Sequence, residues 1–397
     1  MKILTIGNAA SPHILGRAKA FLRTGISNKI LSDQWVKDSE IEVFCPFDDW
    51  FEKPIWIRPF YFIKNIIKAI NIFRTEYYDM IHIHYAANYI GWIAAFFVKK
   101  PIVVIVMGGD VLFEQQNYIP WYQKCLITLA LKRADLIIAK SPYIQQRVVT
   151  LCNNSKKTIS CIFGIEDEFF DSSTHKKNEF SFLSLRPLNS FYNIDKIIDV
   201  IGCLNNKGIF ATLTILDFFS NISYKRYLED YISNNPELEG KIIFVPGVSS
   251  PRELIPLYKY SDFVIALPSS DGIPQSSLEG MSQKCINILP NHKNYEGIFN
   301  EKNSILLSTK TPKEIACEII EKISFKEEIR LNGERFVRNY AVLNKNVISL
   351  RQIFDKILHS NKKNTIFALK LKILFLFIIY FIDQFFILGM RKRFFRK

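Results

Sequence analysis

No two cysteines of this chain stand in a Cys-x-x-Cys pair. The seven, Cys45, Cys125, Cys152, Cys161, Cys203, Cys285 and Cys317, are scattered and odd in number. That argues against a disulfide framework and a structural zinc site, and it fits a reducing compartment. Low-complexity tracts and short repeats are missing, so neither global disorder nor a solenoid is indicated. No zinc-finger spacing or other nucleic-acid motif is present. Met1–Thr5 runs straight into a strand pattern, without the apolar region and small-residue cleavage site of a signal peptide, which predicts a cytoplasmic N-terminus. No uninterrupted apolar run reaches the roughly 20 residues of a spanning helix.

What is present is a long, apolar and basic chain. Its 397 residues exceed one ordinary core and fit two domains of roughly 150–200 residues each. Hydrophobic residues make up 48%, enough for each domain to bury a core. The formal net charge of +14 calls for a polyanionic neighbour: nucleic acid, an anionic membrane surface or a phosphate-bearing substrate. The 33 Phe suit contact with lipid better than base reading, so nucleic acid is not an expected partner.

The hydrophobic pattern runs through two similar halves. Lys2–Ile6, Ile41–Cys45, Met80–His84, Ile102–Met107, Leu136–Ala139 and Thr158–Ile162 read as strands, with helices at His13–Arg23 and Ala87–Val98 among those separating them. The pattern restarts with strands at Phe180–Leu185, Ala211–Leu216, Lys241–Pro246, Phe263–Leu267 and Ile286–Leu289. Strands alternating with helices predict an α/β fold: two doubly wound, Rossmann-like domains with parallel sheets. The expected boundaries are 1–170 and 178–330, joined through the polar stretch Phe170–Asn178. Residues 331–360 read as a helix returning toward the first domain, and 364–397 as a hydrophobic basic tail. Two such domains in tandem leave a cleft at the carboxyl ends of their strands, where ligands of these sheets bind.

The densest polar cluster is Ser269–Met281. It follows the apolar strand Phe263–Leu267. Gly272 and Pro274 shape a tight loop, and Ser276, Ser277 and Leu278 open the next helix, whose N–H groups and dipole favour a diphosphate. Glu279 follows Asp271 with seven residues between, so loop and helix each present a carboxylate, and a carboxylate accepts from two vicinal hydroxyls. Read on residue types alone, the stretch fits equally an ordinary strand-to-helix connection.

Asp271 and Glu279, followed by Gly280-Met281, resemble the donor motif of glycosyltransferase family 4, a retaining family with the GT-B fold. The family more often has Glu at the first position. The resemblance implies that Asp271 contacts the transferred sugar and Glu279 the ribose. Phe182–Asn193 is similar to the family's diphosphate-binding segment: Arg186 takes the place of its Arg, while Phe191 stands where a Lys is usual. A guanidinium offers a planar fork to phosphate oxygens. Leu216-Asp217-Phe218-Phe219 lacks the family's glycine turn at the nucleotide base. Gly7–Arg17 resembles the family's first loop, making Asn8, Ser11 and His13 candidates toward donor phosphate and acceptor, although Ser11-Pro12 is also simply a good helix start. His84 shares a strand face with His82, and no carboxylate or Cys completes a metal set there, so no metal is expected; His84, nearer the strand end, is the acceptor-side candidate of the two. Met107-Gly108-Gly109-Asp110 departs from a family His-Gly-x-Asp loop at Met107. Asp110 remains as a candidate catalytic and acceptor-side residue, with Asp271 and Arg186 completing the catalytic candidates. The resemblance implies a nucleotide-diphosphate sugar as donor, no other cofactor, and a departing phosphate that takes the acceptor proton on one face. The work of such a site is positioning and charge stabilisation.

Ile366–Met390 is very apolar but interrupted by Lys370, Lys372 and Asp383, and Arg391–Lys397 adds basic and aromatic residues. This fits an interfacial anchor on anionic lipid, with a spanning helix and a tail packed on protein as alternatives. Pro54–Arg74 mixes Trp56, Phe60, Ile63 and Ile67 with Arg58, Lys64, Lys68 and Arg74, which fits either a membrane-facing helix or a core helix with a solvated basic face. The combined expectation is a hexosyl- or N-acetylhexosaminyltransferase peripheral on the cytoplasmic face of the plasma membrane. It would act on a glycan or polyprenyl-linked acceptor in polysaccharide, lipopolysaccharide or glycolipid assembly. A catalytically silent relative partnering an active transferase, and a GT-B sugar-nucleotide epimerase, stand as alternatives.

Overall fold

The computed structural model describes residues 1–47, 53–54, 56–113, 119–155, 157–170, 177–218, 220–248, 250–359 and 367–383. The chain forms two compact units, Met1–Cys161 with Asn344–Lys397, and Ile162–Leu343. Each is built on its own parallel sheet.

The first unit runs β1 (Lys2–Ile6), α1 (Pro12–Arg23), β2 (Ser27–Leu31), β3 (Glu42–Phe44), α2 (Arg58–Thr75), β4 (Met80–His84) and α3 (Tyr89–Phe97). It continues β5 (Ile102–Val106), α4 (Trp121–Arg133), β6 (Leu136–Ala139), α5 (Pro142–Cys152) and β7 (Thr158–Ser160). The strand order is β3-β2-β1-β4-β5-β6-β7, and every pairing is parallel. Helices cover both faces of such a sheet, so its central strands read as continuous apolar runs. β4, β5 and β6 are buried along their whole length. Helix starts follow local chemistry. Pro12 sits at the first position of α1, where its missing N–H costs nothing. Asn88 and Ser141 cap α3 and α5 with their side chains.

The second unit runs β8 (Ser181–Ser184), α6 (Ile194–Asn206), β9 (Thr212–Asp217), α7 (Ile222–Ser233), β10 (Ile242–Pro246) and α8 (Ile255–Tyr260). It continues β11 (Phe263–Ile265), α9 (Gln275–Ser282), β12 (Ile286–Pro290), β13 (Ser304–Leu307), α10 (Pro312–Lys322) and α11 (Lys326–Tyr340). Its order, β10-β9-β8-β11-β12-β13, reverses direction between β8 and β11. The first sheet reverses in the same way between β1 and β4. Two helices follow, α12 (Leu343–Leu358) and α13 (Phe367–Ile382). α12 brings Phe354 against Phe21 and His82 of the first unit.

Some expectations change. Ile41–Cys45 lies on the third strand, not the second. β2 had no apolar signature because its first three residues are Ser-Asn-Lys. The short β13 also went unread. The helix expected over 331–360 is two helices. Ala341 leaves helical dihedrals (φ −128°, ψ 37°), and Val342 forms a bridge with Ile165. The chain passes between the units at Cys161 and Ile162, ahead of the expected Phe170–Asn178; residues 171–176 of that stretch lie outside the described residues.

The tail forms α13 on the first unit. Ile373 and Leu376 are buried, Phe377 and Phe381 lie against Phe62, and Tyr380 meets Trp92 edge-on. Among the described residues no helix is long and apolar enough to cross a membrane. Arg391–Lys397 lies outside the described residues.

One backbone contact fixes the second unit's ends together. Gly164 adopts φ +93°, and a Cβ there would stand 2.4 Å from the Ala341 carbonyl. Gly164→Ala therefore meets both a left-handed strain and a backbone clash. It is expected to cost about 2–4 kcal/mol, read as a lowered urea midpoint of the second unit.

Candidate functional site

In a doubly wound sheet the loops diverge where the strand order reverses, which leaves a crevice at the carboxyl ends. In the second unit those ends belong to β8 and β11. Arg186 follows β8, and Asp271 follows β11. Their side chains form an ion pair, both largely buried. The Arg186 guanidinium also lies over the Tyr192 ring, 5.3 Å from its centroid. Its Nε is buried without a hydrogen-bond partner, so part of the donor fork is unused. Burial lowers the Arg186 pKa. The Tyr295 hydroxyl donates to Asp271 at 3.4 Å, and the Asn294 amide donates to the Asp271 carbonyl.

α9 opens at Gln275, capped by Pro274 with no side-chain hydrogen bond. Its first-turn N–H groups are of the kind that satisfy anions. Gly272 lies in the loop before it, and Ser276 is half-buried in the first turn. Ser277 is fully buried. Its Oγ has no partner, while its carbonyl accepts from Asn287 Nδ2 at 3.0 Å. Leu278 is buried in the core instead of lining the site through its side chain.

Glu279 is buried within α9 and accepts a hydrogen bond from the Tyr258 hydroxyl at 2.7 Å. Desolvation raises its pKa to about 7. Tyr258 is itself fully buried. Phe191, in the usual Lys position, is exposed, and its carbonyl accepts from Ser269 N–H at 3.0 Å. Asn193, at φ 51°, donates to the Leu267 carbonyl at 2.7 Å. These two bonds fasten the loop after β8 to the loop after β11. Asp217, where the family's glycine turn is missing, pairs with Lys225 Nζ at 2.5 Å, and that bond lowers its pKa.

The first unit holds the remaining candidates. Asn8 accepts from Ala10 N–H at 2.9 Å, closing its own turn. Ser11 starts α1 without a side-chain cap, and His13 is exposed on the first turn of α1. His84 is buried, and its Nε2 stands 2.5 Å from Arg17 Nη1. Burial holds the His84 pKa well below the ordinary value, and the Arg17 charge adds to this. His84 is thus a neutral acceptor for a buried arginine. Asp110 is fully buried. Its carboxylate accepts from the N–H groups of Ala86 at 2.7 Å, Met107 at 2.9 Å and Gly108 at 3.0 Å. The carboxylate thereby ties the loop after β4 to the loop after β5. Among the described residues no group of three His, Cys, Asp or Glu is placed to hold a metal.

Sequence reading missed Tyr258, Tyr295, Asn193 and Arg17. Tyr258 and Tyr295 look like core aromatics until the buried carboxyls beside them are seen. Asn193 before Ile194 carried a weak signal as the residue that starts a helix.

Residues 2–141 match the glycosyl transferase 4-like family, and residues 165–334 match the glycosyl transferases group 1 family. The first segment is thus glycosyl transferase 4-like and the second a glycosyl transferases group 1 segment. Solved structures share the architecture. A glycosyltransferase from Rickettsia africae is 17% identical, with 91% of this chain and 99% of that one covered and a TM-score of 0.71. Anabaena HepE in complex with UDP-glucose is 15% identical, covering 90% and 100%, with a TM-score of 0.71. Sucrose-phosphate synthase from Thermosynechococcus elongatus is 12% identical, covering 90% and 99%, with a TM-score of 0.74. No curated protein matches the chain. The two parallel sheets are the two Rossmann-like domains of the GT-B fold.

The buried Glu279 carboxyl makes stability depend on pH. Unfolded, it titrates near 4.5; folded, near 7. Below pH 4.5 both states hold the proton and burial costs little. Between those values the unfolded chain loses its proton first, so stability falls as pH rises, and the loss is complete above 7. Glu279→Gln removes the ionisation and keeps an acceptor for Tyr258. It is expected to stabilise the ligand-free protein at pH 8 by on the order of 3 kcal/mol, with the gain vanishing toward pH 4.5. Thermal melts of both proteins across that range check it; a variant no more stable than the parent at pH 8 contradicts it.

Proposed function

We propose that this chain is a retaining transferase that moves a hexosyl or N-acetylhexosaminyl group from a nucleoside diphosphate sugar to a glycan or polyprenyl-linked acceptor. It works peripherally at the cytoplasmic face of the plasma membrane in cell-surface polysaccharide, lipopolysaccharide or glycolipid assembly. The observation that carries the reading is the Arg186–Asp271 pair beside buried Glu279 at the strand reversal of the second unit. HepE bound to UDP-glucose supports a uridine donor as the first to test.

The pair describes a resting site. A diphosphate brings two or more negative charges to a guanidinium that now serves one carboxylate, and phosphate oxygens match its fork. Arg186 then turns from Asp271 to the diphosphate, with its unused Nε available to it. Asp271 is released toward the sugar hydroxyls. The first-turn N–H groups of α9 add fixed donors without reorganisation. Glu279, held by Tyr258, accepts from the ribose hydroxyls. The C1–O bond to phosphate breaks while the acceptor oxygen bonds C1 on the same face. The acceptor proton passes to the departing phosphate oxygen, so the chain forms no covalent bond to sugar. Phe191 carries no charge where a Lys is usual, so Arg186 and α9 bear more of the leaving-group charge.

Purified protein incubated with a panel of nucleotide sugars, with and without lipid-linked acceptors, is expected to release nucleoside diphosphate, unchanged by EDTA. Asp271→Ala is expected to lower kcat/KM at least about 100-fold, and Arg186→Ala to weaken donor binding at least about tenfold. No release and no donor binding would overturn the reading in favour of a silent partner of another transferase. Full activity of Asp271→Ala would overturn the site assignment alone.

A further inference from the structure

The first unit carries an apolar groove that the sugar-transfer chemistry does not use. Its walls come from α2, α3 and α13, among them Ile63, Trp92, Phe97, Phe377 and Ile378, and every lining residue is apolar. Its volume is about 280 Å³.

Two features distinguish this groove from a packing defect. The first is exposure around it. α13 divides into two faces: Ile373 and Leu376 are buried, whereas Leu371, Leu374, Phe375, Ile378 and Ile382 are exposed. That spacing of three and four puts the exposed residues on one stripe. On α2, Phe60, Ile63 and Ile67 make a second exposed stripe at the same spacing. Contiguous exposed apolar surface of this kind marks an interaction site.

The second is charge. α2, α3 and α13 contain no Asp or Glu. α2 carries Arg58, Lys64, Lys68 and Arg74, and α13 carries Lys370 and Lys372. Lys64, Lys68, Lys99, Lys100 and Lys372 are exposed, each within three residues of a groove or stripe residue. Exposed apolar stripes flanked by cations, with no acid on the same helices, complement a surface of acyl chains under anionic headgroups.

We propose that α2, α3 and α13 together form a bilayer-docking face, and that the groove takes one acyl chain of an anionic phospholipid. This rests on the reading that the enzyme works at a membrane surface, and it names the face and the occupant. α13 is then one wall of a composite site on the first unit, not a free anchor. The cations lie at the headgroups while the exposed stripes enter the acyl boundary.

The test uses the full chain with phosphatidylglycerol-containing vesicles and with phosphatidylcholine vesicles. The protein is expected to pellet with the former, to be released by salt, and to bind the latter at least about tenfold more weakly. The double variant Ile63→Glu with Ile378→Glu alters exposed positions, so it should fold and bind donor as the parent does; its vesicle affinity is expected to fall at least about tenfold. Chain entry is read separately. With Trp35, Trp50, Trp56 and Trp121 replaced by Phe, Trp92 is the reporter. Vesicles of brominated phosphatidylglycerol are expected to quench it, and the Ile63→Glu/Ile378→Glu variant to escape quenching. Pelleting without quenching overturns the chain-binding groove while sparing membrane association. Absence of pelleting overturns both. Saturable binding of a free polyprenyl phosphate that protects Trp92 without any bilayer would overturn the phospholipid assignment in favour of an acceptor site. Nucleoside diphosphate release from soluble donor is measured on the same preparations; its loss would count against the transferase reading and not against the groove.

Discussion

A parallel sheet covered by helices on both faces has no wet side, so its strands must be apolar and its polar chemistry collects at the carboxyl ends. β4, β5 and β6 are buried along their whole length, with His82 and His84 of β4 as the polar exceptions. Several of the polar groups that enter the interior are held by specific neighbours. His82 lies against Phe21 and Phe354, Asn287 donates to the Ser277 carbonyl, and Asp110 serves three backbone donors. The same constraint leaves Arg186 and Asp271 at the one place in the second sheet where neighbouring loops part.

That location sets the electrostatics. A buried guanidinium and a buried carboxylate meet as a pair because each alone would be costly to desolvate. At Glu279 burial outweighs the hydrogen bond from the Tyr258 hydroxyl, with the Glu166 charge adding to burial, so its pKa rises. The two acids of one motif therefore differ in kind. Asp271 is engaged by Arg186, whereas burial pushes the Glu279 carboxyl up to about 7. A ligand bringing phosphate to Arg186 and hydroxyls to the two acids would engage all three. The first unit has an analogous arrangement, in which neutral His84 accepts from buried Arg17.

Much of this was legible in the sequence where one physical signal dominated. Unbroken apolar runs located β5 and β6, and short, mostly apolar runs located β1 and β4. The Asp271 to Glu279 spacing located the loop and helix of the second site. β2 escaped because its outer residues are polar, and a strand near the sheet edge needs only a few inward apolar groups. The break at Ala341 escaped because no Gly or Pro marks it; it is imposed by the Val342 bridge to Ile165, a tertiary contact. For Asp110, an acid beside two glycines reads the same in sequence whether it serves a substrate or its own loop. Only the count of N–H groups around its carboxylate separates the two.

The tail shows the limit of reading apolarity as an average. Ile373–Ile382 is uniformly apolar, and a mean over it cannot tell an anchor from a core helix. Packing divides it. Leu376 and Ile373 complete the first unit's core beside Phe62 and Trp92, and Tyr122 adds a hydrogen bond from its hydroxyl to Asp383. A helix needing only burial could place polar residues on its far side, as α6 does with Asp195 and Lys196. α13 instead keeps Leu371, Leu374, Phe375, Ile378 and Ile382 outward. The inner face explains why the helix is docked, and docking alone does not explain the outer one. Leaving five large apolar side chains in water forgoes burial worth roughly 1.5–3 kcal/mol each if fully realised, and neighbouring α2 presents the same kind of stripe. Two adjoining helices with one unspent surface and one sign of charge point to a neighbour outside the chain.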